Sequence, residues 1–172
     1  MLFGDRKRIG IEADLDAPTA PWLFGRVCIW CKDQQIGDLS QTVVLSITRA
    51  FCAQFLMRAG QRHDVDLDLL PAPLAFTFLY DALFGDSAAS LKEAAELGER
   101  YGKFCVSPGG GEAFDGWIAF LIESRHCNRF IWQEDGDEHV EEMELLPGEL
   151  EAVFRAFIAW VEALERELTG IR

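Results

Sequence analysis

The chain has 172 residues, 49% hydrophobic and 12% aromatic, with a formal net charge of -13. A chain of this length can bury roughly 70% of its unfolded surface in one core. Its apolar content excludes disorder, and no apolar run approaches the ~18 residues that a bilayer span needs. The charge is lopsided: residues 1–72 hold 8 Lys and Arg against 9 Asp and Glu, whereas residues 73–172 hold 8 against 20. Such a field repels nucleic acid and anionic membrane surfaces and speeds encounter with a basic partner. An acidic surface also serves solubility alone.

The N-terminus, "MLFGDRKRIG", puts charge where a signal peptide needs an apolar core. Together with five scattered cysteines, odd in number and set in apolar segments, this predicts a cytoplasmic protein with reduced, buried thiols.

From Lys7, Ile9, Ile11, Ala13 and Leu15 alternate with polar residues, the period of a half-buried strand, and "APTAP" breaks it. "WLFGRVCIWC" from Trp22 is rich in aromatic and β-branched residues; "KDQQ" then separates it from "IGDLS", so the two read as a hairpin. Val44, Ile47, Phe51 and Phe55 recur at helical spacing, with Ser40 or Thr42 as cap and Gly60 as stop. "DVDLDLLPAP" alternates acid and aliphatic residues before two prolines, which suits a short edge strand or an extended linker.

"LAFTFLYDALFG" is apolar nearly all round and predicts a buried helix ending at Gly85. "DSAASLKEAAELGERYG" predicts a more exposed helix, capped by Ser87 or Ser90 and ended by Gly102. "WIAFLIES" and "RFIWQE" read as strands, and Asp135-Gly136 as a two-residue hairpin turn into "EHVEEMEL". Phe130 and Trp132 would face one side and Ile131 the other, with Val140 and then Met143 or Leu145 opposite, across a bulge if the register shifts. Last, apolar residues at 150, 154, 157, 161, 164 and 168, widened by Val153 and Trp160, predict a long amphipathic helix. Pro147 suits its first turn, Glu149 and Glu151 its positive end, and Gly170 its stop. The stripe fits packing across a sheet; an exposed dimer seam is the other reading, so a homodimer stays open. The fold class is α+β: a single domain over residues 1–172, its antiparallel sheet built from the N-terminal hairpin and the 117–145 meander and packed by several helices, including the long C-terminal one.

Catalytic and metal motifs are weak. Cys28 and Cys31 in "CIWC" have redox and zinc spacing, but within a strand their side chains project to opposite faces, and no second pair completes a tetrahedral site. "SPGGGE", Ser107 to Glu112, lacks the Lys-Ser/Thr of a phosphate loop and reads as a connection or a contact loop. His126 and Cys127 are neighbours near a strand end, which leaves a Cys-dependent hydrolase as a minor alternative. The acidic pairs near Gly136 lack the calcium-loop spacing. No cofactor and no metal is expected.

"QEDGDEHVEEMEL", Gln133 to Leu145, places seven carboxylates in thirteen positions. Glu134, Asp135, Asp137, Glu138, Glu141 and Glu142 lie on the turn and return strand of the predicted hairpin, where they form either a solvated rim or a docking rim for a basic partner.

Five blocks, "MLFGDRKRIGIEADL", "WLFGRVCIWCKDQQIGD", "GEAFDGWIAFLIES", "RFIWQ" and "LPGELEAVFRAFIAWVEAL", in that order, resemble the immunity protein 42 family of bacterial polymorphic toxin systems. Gly25, Gly37, Phe114, Gly116, Trp117, Arg129 and Trp132 carry the resemblance, each as readily structural as functional; "CIWC" departs from it. The resemblance implies a small cytoplasmic antidote that binds a toxin domain and blocks it, with no cofactor and no turnover. A basic, nuclease-type toxin would match the acid of the second half. The alternative is a scaffold or small-molecule-binding domain.

Overall fold

The computed structural model describes residues 1–16, 22–85, 90–108 and 112–170. The α+β class is as the sequence predicts. There are two sheets, however, in place of the one expected, and the chain divides into two compact units. The first comprises residues 1–57, 108–117 and 148–172, and the second residues 58–107 and 118–147.

In the first unit, β1 (Leu2–Gly4), β2 (Ile9–Leu15), β3 (Phe24–Cys31) and β4 (Gln34–Ile36) form an antiparallel sheet in that order, with β5 (Val43–Val44) also pairing β3. β2 starts at Ile9 because the alternation there puts Ile9, Ile11 and Ala13 on one face, opposite Cys31, Ile29 and Val27 of β3. All six are buried. β1 lacks any long apolar pattern and was not expected; it is held by its ladder to β2 and by the Met1 ammonium, which donates to the Ala13 carbonyl at 2.5 Å. The β3–β4 turn is tighter than "KDQQ" suggests: Lys32 and Asp33 take φ of 54° and 61°, the mirror-image turn that matches strand twist.

α1 (Leu45–Met57) and α5 (Glu149–Thr169) pack together, with Phe55 edge-on to Phe154 at 5.2 Å and Arg49 3.4 Å from Glu165. The inward face of α1 is Leu45, Thr48, Cys52 and Phe55, offset from the predicted Val44, Ile47, Phe51 and Phe55 because Val44 is taken by β5 and Ile47 faces out. α5 follows its stripe: Leu150, Phe154, Phe157 and Val161 are fully buried. Its ends are left-handed glycines, Gly148 and Gly170, and Pro147 lies outside the first turn. Arg8 grips the Glu149 carboxylate with two donors at 2.9 and 2.7 Å, so the helix start is tied to the β1–β2 turn.

In the second unit, β6 (Trp117–Ile122), β7 (Asn128–Glu134) and β8 (Glu141–Leu145) form an antiparallel sheet. α2 (Val65–Leu69), α3 (Ala72–Phe84) and α4 (Leu91–Tyr101) belong to the same unit. Leu67, Phe76, Leu79, Phe104, Phe120, Ile122 and Ile131 share its core, Phe76 meeting Phe120 edge-on at 5.4 Å. α2 replaces the predicted strand or linker: the Asp64 carboxylate accepts from the amides of Asp66 and Leu67, and that cap wins over an alternation only six residues long. α4 starts at Ser90, whose side chain and that of Glu93 cap each other's amides; the other predicted cap, Ser87, lies outside the described residues.

The β7–β8 connection differs from the two-residue turn predicted at Asp135-Gly136. Trp132 pairs Glu141, Phe130 pairs Met143 and Asn128 pairs Leu145, so the ladder opens after Glu134 into a six-residue loop and needs no bulge. Val140 leaves the ladder to pack against the core.

Arg62 is 0% exposed and ties this unit together. Its guanidinium donates to the Glu123 carboxylate at 2.5 Å and to the carbonyls of Lys103 and Arg58 at 3.0 and 3.2 Å. Glu123 also accepts from the amides of Gly60 and Arg62. Arg62→Met strands that carboxylate in the core and is expected to cost about 3 kcal/mol, read from the urea unfolding midpoint. A loss below about 1 kcal/mol, typical of an exposed pair, would show that the contact holds nothing together.

Candidate functional site

The residues that carry the family resemblance are mostly explained by packing. A side chain at Gly25 would strike the Asp14 carbonyl and come within 2.9 Å of Leu45. Gly37, at φ 96°, leaves room for the Phe114 ring, which would lie 2.9 Å from any Cβ placed there. Phe114 and Trp132 are buried. Arg129 is the exception with a visible second role. Its Nε donates to Glu142 at 2.5 Å, and its Nη1 donates to the carbonyls of Leu67 and Asp68 at 3.0 and 2.9 Å, closing the C-terminal end of α2 onto the sheet.

The thiols are structural. Cys28 and Cys31 are buried and form no disulfide, on opposite faces of β3 as strand geometry requires. Burial pushes the Cys28 thiol up to about 12, and the Cys52 thiol likewise. Cys127 is raised as well, by desolvation and by the nearby carboxylates of Glu144 and Asp68. A nucleophilic cysteine requires the opposite shift. His126 is exposed at the strand end, and no cluster of metal-ligating side chains occurs among the described residues. Gly109 to Gly111, the centre of the predicted contact loop, lie outside the described residues.

The six acidic residues singled out in the sequence separate into two groups. Glu134, the last residue of β7, and Asp135, Asp137 and Glu138 on the β7–β8 loop are exposed. That loop is ordered by its own hydrogen bonds: the Asp137 amide donates to the Glu134 carbonyl, the Gln133 side chain donates to the Asp137 carbonyl at 2.6 Å, and the Asp137 carboxylate accepts from the His139 amide at 3.0 Å. Gly136 supplies the left-handed corner at φ 82°. Glu141 and Glu142 sit on β8, half-buried. Glu142 is engaged by Arg129, and Glu141 lies 3.5 Å from His139.

The second unit also shows a surface that the sequence pattern concealed. The sequence predicts a buried α3, yet while Ala72, Ala75, Phe76 and Leu79 are buried and Ala82 and Leu83 pack against the core, Leu74, Phe78, Tyr80 and Phe84 are exposed. Uniform hydrophobicity gave no signal for which side would be covered.

The second unit thus exposes both an acidic loop and apolar side chains of α3, features that often mark surfaces on which other molecules dock. The immunity protein 42 family model matches residues 1–160, and the chain belongs to that family. As a family member it is an immunity protein, a class that neutralises toxins. The crystal structure of CdiI from Burkholderia dolosa AUO158 has the same fold, with a TM-score of 0.73 at 18% identity, covering 92% of this chain and 99% of that one. No curated protein matches.

Native-state alkylation at pH 8 is expected to leave Cys28, Cys31 and Cys52 unmodified until denaturant unfolds the chain, as read by mass spectrometry. Rapid labelling of Cys28 would mean that β3 does not bury it.

Proposed function

We propose that this chain is a cytoplasmic, non-catalytic immunity protein that binds and blocks a basic, nuclease-type domain of a polymorphic toxin. The carrying observation is the family match, which spans residues 1–160 and takes in both units, in keeping with one working domain over 1–172. No helix among the described residues is long and apolar enough to cross a membrane. A basic toxin is favoured by charge. Active sites that hold phosphates are cationic, and an acidic surface competes for them while raising the association rate.

Glu134, Asp135, Asp137 and Glu138 are the steering charges in this reading, because they are exposed and their loop is ordered before the partner arrives. Glu141 and Glu142 contribute field from the strand, with Glu142 partly neutralised by Arg129. Inhibition is stoichiometric: one immunity chain silences one toxin domain, with no product formed.

The test uses the C-terminal domain, purified in an inactive form, of the toxin that this reading expects to be encoded beside the gene. The triple variant Glu134→Lys, Asp135→Lys, Glu138→Lys should slow association about tenfold or more at low salt and flatten its salt dependence, measured by stopped flow. Unchanged rates and salt slope would remove the loop from the interface.

A further inference from the structure

The outward side of α3 carries one charged residue, Asp81, along thirteen positions. A solvent-facing helix normally alternates Lys and Glu there. Instead Leu74 is 57% exposed and Phe84 48%; Phe78, edge-on to Tyr101 of α4 at 5.2 Å, and Tyr80, against Phe76 and Phe84, are 45% and 40% exposed. α2 adds Leu69, 79% exposed, and Val65. These six side chains, on two consecutive helices, are each at least 40% exposed, more large apolar side chains than singly scattered surface residues account for.

The border of this face is acidic. Asp64, Asp66 and Asp68 alternate with Val65, Leu67 and Leu69 along α2. Arg129 joins the end of α2 to β8, bonding the Leu67 and Asp68 carbonyls and the Glu142 carboxylate with one guanidinium. Arg129 therefore ties the end of α2, which carries Leu69, to the acidic strand β8.

We infer that the outward face of α2 and α3 is the anchor by which the chain grips its toxin domain, and that it takes an apolar ridge bordered by lysines and arginines. This rests on the immunity role proposed above. Charge selects the occupant: a two-fold contact with a second copy would set the acidic border of α2 against itself, whereas a basic partner pairs with it. The division of labour is physical. Exposed carboxylates steer encounter, and buried apolar side chains hold the complex once formed.

The full chain carrying Leu69→Ser, Leu74→Ser and Phe84→Ser is tested against the same inactive toxin domain. All three side chains are exposed, so the fold should survive, and circular dichroism checks it; Phe84→Asp alone serves if the triple variant unfolds. The expected result is a Kd at least 100-fold weaker, carried by faster dissociation, with the salt slope of association unchanged. Binding equal to that of the unaltered chain overturns the inference and leaves the immunity role standing. Loss of self-association by light scattering, with toxin affinity unchanged, also overturns it and makes the face a contact between copies. Absence of binding by the unaltered chain overturns the immunity role and this inference with it.

Discussion

The buried guanidinium of Arg62 is the constraint on which the second unit depends. Three chain segments end there: the stretch after α1 through the Arg58 carbonyl, the turn after α4 through the Lys103 carbonyl, and the end of β6 through Glu123. None of them has a regular ladder at that point. Arginine suits the task because its fork supplies several fixed donors at once, where lysine would supply a flexible point charge. Glu123 repays the contact by satisfying the amides of Gly60 and Arg62, so few polar atoms at the junction are left to be desolvated without compensation. The sheet edge and the start of α2 are thereby fixed before any ligand is present.

From that frame follows a sorting of the acid. Glu123, Glu142, Glu149, Glu93 and Asp64 are drawn into caps and ion pairs, and their charge is spent on the fold. Those on the β7–β8 loop are held out by local turn bonds. Like charges gathered on a loop repel one another, which destabilises the free protein slightly and makes a cationic partner more welcome. At physiological ionic strength the field decays within about 8 Å, so only charges at the edge of an interface can steer. Net charge alone would not have distinguished them from solubilising charge.

Much of the scaffold was legible where a pattern had one consistent period. Ile9 to Ala13 on β2, the cap at Ser90 and the stripe from Leu150 to Val161 each follow from spacing that tertiary contacts had no reason to override. The failures have particular causes. Val65 to Leu69 alternates like a strand, but the Asp64 cap at its start and the Leu70 amide donating to the Leu67 carbonyl at its end close it into a five-residue helix. Leu2 to Gly4 is too short and too exposed to announce itself. α3 is apolar on all sides, so its amphipathicity is invisible and its exposed half could be found only in the fold. The acidic segment was readable as a surface feature; the use of Glu142 as the counter-ion of Arg129 was not, since its partner lies thirteen residues away.

The misread helix bears most directly on how the molecule could work. Exposed ion pairs contribute about 0.2–1 kcal/mol each, and a rim of four carboxylates cannot by itself supply the roughly 12 kcal/mol of a nanomolar complex. Apolar anchors in a desolvated centre can supply much of it, because removing each large side chain from water contributes about 1.5–3 kcal/mol. An acidic loop without an apolar neighbour would describe a protein that meets its partner quickly and releases it as quickly. Neutralising a toxin requires slow release above all, since an antidote that dissociates within one catalytic cycle protects nothing. The uncovered side of α3, costly to leave in water and prone to aggregation, is explained by that requirement in a way that solubility or core packing does not explain it.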